Sequence, residues 1–364
     1  MRKVRALFFL ILPLAGFAAL AQQPQQPPPP PEPEARIVVP VERVTVPLVV
    51  RDMRGEFIYD LERGEVTVLD NGVPQQIRTF ELATEPLSVV ILVDTSQRVA
   101  PLLGRVRESG ILFSSYILGQ SGEAALITFD SYVNLRQDFT TDTDELLQAF
   151  QKIQAGGSQT RLADAFDQAV GLLRKRPRDR RRVVVILSEA LNEGSTTPVG
   201  QPLRWMQLEE ISVYAVALSA LEADLRRRPE DSPVRSSPYP PGVFTRPGTP
   251  GQPQTPTTVA QEQYSRANLL AALTTLVRTM RDVVGQDVLE LYAYGTGGLH
   301  HSTFGRSALE DVLKGIGQDL HNQYVITYQP SNREQMGFHR IEVQVNRSGV
   351  SVRHRPGYYL GAIL

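Results

Sequence analysis

Leu87-Ser88-Val89-Val90-Ile91-Leu92-Val93-Asp94-Thr95-Ser96 is the stretch on which the reading of this chain turns. Only Ser88 interrupts the apolar run, which has the length of one strand and no polar face, as expected of a strand covered on both sides of a parallel sheet. The run empties into a carboxylate and a hydroxyl, at the strand end where open α/β sheets bind ligands. Downstream the pattern alternates. Further apolar strands are expected at Ala124 to Phe129, Val183 to Leu187 and Ile211 to Ala217. Helical spacing is expected at Val106 to Leu118, Thr143 to Ile153 and Arg161 to Lys175, where Leu162, Phe166, Ala169 and Leu173 share a face. Asp142 stands as a cap, with Glu145 at capping-box spacing. The expected fold is α/β: a doubly wound, mostly parallel sheet with helices on both faces, occupying residues 83–322.

Small β attachments are expected on either side. Residues 36–82 show short runs at Val44 to Val50, Val66 to Leu69 and Ile77 to Phe80, with Asp70-Asn71-Gly72 as a hairpin turn and Pro47 arguing for an edge strand. Residues 323–364 read as strands near Tyr324 to Tyr328, His339 to Val345 and Val350 to His354, their tyrosines serving packing rather than a ligand platform. Residues 226–262 are rich in Pro, Ser and Thr and poor in apolar residues, the composition of a disordered insertion. Helical spacing resumes at Ser265 to Arg281, Val288 to Ala293 and Ser307 to Leu320.

Met1-Arg2-Lys3, the apolar run from Ala6 to Leu20 and Ala19-Leu20-Ala21 have the layout of a secretory signal peptide over residues 1–21. The Gln, Pro and Glu of residues 22–35 are expected to form an extended tether. This places the chain in the periplasm, on the cell surface or in the medium, with no stable membrane span after cleavage. There is no Cys, so neither disulfides nor a lipidated cysteine enters the reading. Cleavage removes Arg2, Lys3 and Arg5 and no acid, taking the formal net charge from -1 to -4, which excludes nucleic acid as an implied partner. Arg178-Asp179-Arg180-Arg181-Arg182 reads as a solvated turn.

The candidate site gathers oxygen ligands at strand ends: Asp94 and Ser96 after the first strand, Thr160 after Gly156-Gly157-Ser158, and Glu189 after the strand Val183 to Leu187. Hydroxyls and one or two carboxylates suit a hard divalent cation such as Mg²⁺, the cofactor such a site takes. The same residues also suit helix caps and a loop acid.

With these residues in place the chain resembles the von Willebrand factor type A domain, a doubly wound fold with a metal-ion-dependent adhesion site. That site combines an Asp-x-Ser-x-Ser loop, a Thr and an Asp, and an acidic side chain of a protein partner often completes the coordination. More narrowly, the chain resembles the exported type A-related proteins of Acidobacteria. Asp70-Asn71-Gly72, Asp94-Thr95-Ser96, Thr296-Gly297-Gly298, Gln323-Tyr324 to Tyr328-Gln329-Pro330 and Gly357-Tyr358-Tyr359 follow their order over about residues 38 to 360. The resemblance implies that Asp94, Ser96, Thr160 and Glu189 are the metal positions, with Ser158 as the alternate to Thr160. Arg98 replaces the second Ser, and Glu189-Ala190 replaces the usual Asp-Gly.

Arg98 offers no lone pair to a metal. Two arrangements follow: a metal-free site in which Arg98 bridges to Asp94 or Glu189, or a metal site with Arg98 turned outward. Either way the implied function is adhesion-type binding of a protein partner, with Arg98 and Ser158 facing it. The alternatives are a structural envelope scaffold and a metal-assisted hydrolase. Enzymatic activity is not expected, because no base is placed beside a nucleophile and His300 and His301 have no sequence relation to Ser96.

Overall fold

The leading stretch becomes β5 (Leu87–Asp94), buried along its whole length. A computed structural model describes residues 43–218, 287–302, 308–335 and 337–360. The expected signal peptide, the tether, the 226–262 insertion and the helix at Ser265 to Arg281 lie outside the described residues. β5 pairs in parallel with β6 (Glu123–Phe129) and β8 (Arg181–Ser188), and β8 pairs in parallel with β9 (Ile211–Ala217). Two further strands complete a six-stranded sheet: β7 (Val133–Thr140), antiparallel to β6 at one edge, and β10 (Leu299–Ser302), parallel to β9 at the other.

Successive β5 side chains point to opposite faces, which is why an unbroken apolar run suits this position. Leu87, Val89, Ile91 and Val93 pack with Phe113, Phe150 and Leu313 on one face; Val90 and Leu92 pack with Leu162, Phe166 and Tyr292 on the other. The first layer holds α1 (Leu103–Glu108), α2 (Gly110–Leu112), the π-helical turn Phe113–Leu118, α3 (Thr143–Gln151) and α7 (Ala308–His321). The second holds α4 (Leu162–Leu173), α5 (Gly200–Leu208) and α6 (Val288–Thr296). The sheet is thus mostly parallel and doubly wound.

The helix expected over Val106 to Leu118 is broken. Ser109 Oγ donates back to Val106 O at 2.8 Å, an interaction that bends helices, and a Cβ on Gly110 would sit 2.9 Å from the Phe150 ring. Asp142 caps α3 through the amides of Asp144 and Glu145, but no reciprocal box forms. Thr140 intervenes, donating to Glu145 Oε2 at 2.7 Å and accepting from the Asp142 amide at 3.0 Å.

The two β attachments are one body. β1 (Val44–Asp52), β4 (Ile77–Leu82), β11 (Tyr324–Tyr328) and β13 (Val350–His354) form one four-stranded sheet in the order β13-β1-β11-β4. β2 (Val66–Asp70), β3 (Val73–Gln75), β12 (Gly337–Val345) and β14 (Gly357–Leu360) form another, in the order β14-β12-β2-β3. Val46, Leu48, Val68, Ile326, Tyr328 and Ile341 fill the space between the sheets. Asn71 and Gly72 both take positive φ (50° and 80°), as a tight hairpin turn needs. The edge position expected for the first strand is corrected: β1 is internal. Pro47 is tolerated because β13 pairs only from Leu48 onward, so at Pro47 the strand has a neighbour on the β11 side alone.

A polar network crosses the sandwich core. Asp70 accepts from Tyr328 (2.9 Å) and Tyr358 (2.8 Å) and faces His339 Nδ1 at 2.7 Å. Burial alone would raise the Asp70 carboxyl, but His339, the two tyrosines and Asn332 hold it below its ordinary range. Burial would lower His339, yet Asp70 and the Gln335 carbonyl hold it above.

Thr296-Gly297-Gly298 joins the sandwich to the main sheet. Thr296 Oγ1 accepts from the Val213 amide at 2.9 Å, and a Cβ on Gly298 would lie 1.8 Å from Val213 O. The carbonyls of Gly297 and Gly298 accept from Arg353, which also pairs with the buried Asp319. The arginine run is not a solvated turn throughout. Arg180 donates to Leu87 O and Ser121 O, Arg181 to Leu320 O, and Arg182 pairs with Glu209, closing the amino-terminal end of the sheet. Among the described residues no helix is long and apolar enough to cross a membrane.

Candidate functional site

Loops following β5, β6 and β8, and the loop leading into α4, meet at the carboxyl end of the main sheet. The meeting is fixed by backbone hydrogen bonds. The Thr95 amide donates to Phe129 O (2.8 Å), the Gly156 amide to Thr95 O (2.7 Å) and the Gln97 amide to Gly157 O (3.0 Å). Thr160 and Glu193 exchange backbone hydrogen bonds of 3.1 and 2.8 Å, tying the second and third loops together. Gly156 and Gly157 make this approach possible. A Cβ on Gly156 would stand 2.0 Å from Asp130 Oδ2, and one on Gly157 would stand 2.2 Å from Ser131 Oγ.

Asp94 lies fully buried among these loops. Its Oδ1 accepts from the Ser96 amide at 2.8 Å and its Oδ2 from the Ser188 hydroxyl at 2.9 Å. Burial pushes the Asp94 carboxyl above its ordinary range, offset only in part by Ser96, Ser188 and the Glu189 amide. Ser96 and Thr160 are as buried as Asp94; the Ser96 hydroxyl faces the Asp94 carboxylate without a completed hydrogen bond, and Thr160 Oγ1 has no hydrogen-bond partner among the described residues. A buried hydroxyl without a completed hydrogen bond costs about 1–3 kcal/mol, so two on interlocked loops call for an explanation. No group of three or more His, Cys, Asp or Glu among the described residues could hold a metal. A cation here would therefore rest on hydroxyl oxygens beside one buried carboxylate, and this donor set fits a hard divalent ion.

Arg98 bridges to neither Asp94 nor Glu189. Its guanidinium turns to Glu193, 3.2 Å from Oε1, and both side chains stay about half exposed. The physical reason is desolvation. A guanidinium beside Asp94 would have to be buried, whereas Glu193 offers a carboxylate in solvent on the loop already tied to Thr160. Glu189 is half-buried and reaches Asp94 through its backbone amide. Ala190, where the resemblance implies Gly, takes φ +66°, a left-handed conformation that a Cβ disfavours. Ser158 is exposed on the second loop.

Several residues that frame the site have no motif to reveal them. Asp130, nearly buried, accepts from Thr95 Oγ1 at 2.8 Å and from the Tyr132 amide at 3.2 Å, leaving Tyr132 itself 71% exposed next to the second loop. Asn192 Oδ1 and Ser195 Oγ accept from the Ala163 amide at the start of α4. Asp164 accepts from the Thr197 amide at 2.8 Å and pairs with Arg161 at 2.9 Å; against the raising effect of burial, these partners hold its carboxyl below the ordinary range. The signal that finds Asp130 is the Phe129-Asp130 strand end, the same apolar-to-carboxylate step as Val93-Asp94. His300 and His301 sit on β10, burial pushes His301 down to about 4, and no hydrogen bond joins either to Ser96.

Residues 89–190 match the von Willebrand factor type A domain family, and this segment carries Asp94, Ser96, Thr160 and Glu189. Domains of this type commonly mediate protein–protein interaction or adhesion and are usually not enzymes. No curated protein matches the chain. Similar solved structures include the conserved hypothetical protein BatB from Bacteroides thetaiotaomicron, 13% identical over 64% of this chain and 97% of that one, with a TM-score of 0.39. The vWF domain of the type V pili tip protein Mfa5 from Porphyromonas gingivalis is 19% identical over 30% of this chain and 40% of its own, with a TM-score of 0.27. An aerotolerance-related membrane protein from Bacteroides fragilis is 13% identical over 64% of this chain and 98% of its own, with a TM-score of 0.38.

Proposed function

We propose that this chain is an exported, adhesion-type interaction module that binds a protein partner through the loops at the carboxyl end of its main sheet. The observation that carries this reading is the pair of buried hydroxyls of Ser96 and Thr160, neither in a completed hydrogen bond, on loops locked around the buried Asp94 carboxylate. Asp94, Ser96 and Thr160 would hold a divalent cation such as Mg²⁺, with Glu189 as the acid of the third loop. When bound, the ion supplies a positive centre for a carboxylate of the partner. Arg98 turned toward Glu193 supports a metal site over an Arg-bridged one, because its charge is matched away from the cation.

Around this centre, Arg98 exchanges Glu193 for an acidic side chain of the partner, while Ser158 and Tyr132 present exposed contact groups. Domain division follows the same reading: a signal peptide over 1–21, a tether over 22–35, the type A-like body over 83–322, and β segments over 36–82 and 323–364. Export rests on that leader, and the ordered motifs from Asp70-Asn71-Gly72 to Gly357-Tyr358-Tyr359 support kinship with the exported type A-related proteins of Acidobacteria.

A scaffold role has its own support in the Arg353, Asp319 and Tyr214 contacts that join sandwich to sheet. Cross-linking of the full chain to envelope proteins separates the two readings. Capture that requires Mg²⁺ and falls on Ser96→Ala and on Arg98→Glu supports the interaction module. Capture indifferent to Mg²⁺ and to both substitutions contradicts it and favours the scaffold.

A further inference from the structure

Away from the strand-end loops, the sandwich carries a cleft whose charge is unusual for this chain. Two adjoining hollows of about 470 and 420 Å³ share Arg78, Gln329 and Arg333; Arg43 closes one, while Gln75 and Ser331 line the other. Among the described residues no Asp or Glu lines either hollow. Several arginines of the fold are paired with acids, among them Arg347 with Asp60 and Glu65, Arg176 with Glu123, Arg182 with Glu209, and Arg353 with Asp319. In contrast, neither Arg43 nor Arg78 has an ion-pair partner among the described residues. Arg78 donates instead to the neutral Gln329 Oε1 at 3.3 Å.

Two further contacts hold the walls. The Ser331 amide donates to Gln75 Oε1 at 2.9 Å, and Arg333 Nε donates to Pro330 O at 3.1 Å. The guanidinium groups of Arg43 and Arg78 carry charge that no described acid matches, and the planar forks of all three arginines match carboxylate or phosphate oxygens. In a chain of formal net charge -1, this local excess of positive charge is a feature of the cleft and not of the bulk composition.

The rest of the lining narrows the ligand. The amide of Gln329 and the hydroxyl of Ser331, both exposed, suit a ligand rich in hydroxyls. No aromatic face is on offer for stacking a base, because Tyr328 is buried with its hydroxyl given to Asp70. The hollows are open and run side by side, which suits an extended polymer better than a small molecule that must be enclosed. We propose that this cleft binds a carboxylate-bearing polysaccharide, with Arg43, Arg78 and Arg333 pairing with successive uronate groups. Such a site lets the sandwich hold an acidic glycan while the main sheet engages its protein partner, and it shares no residue with the strand-end site.

The test is calorimetric titration of the full chain with a galacturonate hexamer at low salt, beside a neutral galactose hexamer and a single-stranded DNA hexamer. Saturable binding of the uronate only is expected. Arg78→Gln and Arg333→Gln should each weaken it about tenfold, and the exposed Arg54→Gln should leave it unchanged. All three arginines are exposed, so thermal unfolding of each variant should match the parent within about 2 °C. Absence of uronate binding overturns the proposal. So does equal binding of the neutral or DNA hexamer, or uronate binding that survives the double substitution Arg78→Gln and Arg333→Gln.

Discussion

Replacing Asp94 by Asn should make the chain more stable in the absence of divalent cations. Asp94 receives the Ser96 amide at 2.8 Å, the Ser188 hydroxyl at 2.9 Å and the Glu189 amide. Each such bond to a charged acceptor contributes about 1.5–3 kcal/mol. Burial of an ion costs several kcal/mol, and the upward displacement of the Asp94 carboxyl says that burial outweighs its partners. Asn has the same shape, keeps one acceptor oxygen for the backbone amides and offers its NH₂ to Ser188 Oγ, which can accept; the loss of the second acceptor oxygen is set against the removal of the buried charge. The residual gain is about 1–2 kcal/mol, or about 2–8 °C in Tm for a domain of this size.

The pH dependence has a definite sign. A carboxyl with a raised folded-state pKa adds stability below its unfolded value, and this is lost as pH rises through the folded value. Urea unfolding of parent and variant in EDTA should therefore show the variant ahead at pH 7.5, with the gap closing as the pH falls through the Asp94 pKa. A variant less stable than the parent at pH 7.5, with a gap that ignores pH, would refute the assignment of Asp94 as an under-compensated buried charge.

Ala190→Gly should stabilise the third loop by about 1 kcal/mol, since φ +66° costs Ala what Gly adopts freely; urea unfolding measures it, and a loss of stability contradicts the strain. His339→Gln leaves the Asp70 carboxylate buried without its cation and should cost about 3 kcal/mol near pH 5.5. The deficit should shrink in both directions. The raised His339 loses its stabilising proton as pH rises through its folded value, and the depressed Asp70 loses its charge as pH falls through its own. Circular dichroism of urea melts across pH 3 to 9 checks the window.

The central strands were legible because burial on both faces leaves an unmistakable record: β5, β6, β8 and β9 are continuous apolar runs. The Asn71-Gly72 turn was legible because two successive positive φ angles demand such residues. β7 and β10 were not. β7 is an edge strand with half-exposed side chains that carry little apolar pattern, and β10 is four residues with two histidines, ordered by pairing with β9. Closure of the sandwich depends on β1 meeting β11 and β2 meeting β12 across most of the chain, which no local period encodes.

In the site, Asp94, Ser96 and Thr160 were readable as strand-end oxygens. The Glu193 partner of Arg98 lies 95 residues away, and a loop crossing, not spacing, brings the two together. The two hydroxyls without completed hydrogen bonds are likewise a property of the folded loops and leave no mark in the residue types.

Manganese binding followed by electron paramagnetic resonance, with Mn²⁺ in place of Mg²⁺, addresses the strand-end site most directly. One ion bound per chain is expected for the parent, displaced by excess Mg²⁺, and none for the Ser96→Ala, Thr160→Ala double variant with its fold intact. No bound ion in the parent, or undiminished binding in the double variant, would contradict a cation held by Asp94, Ser96 and Thr160.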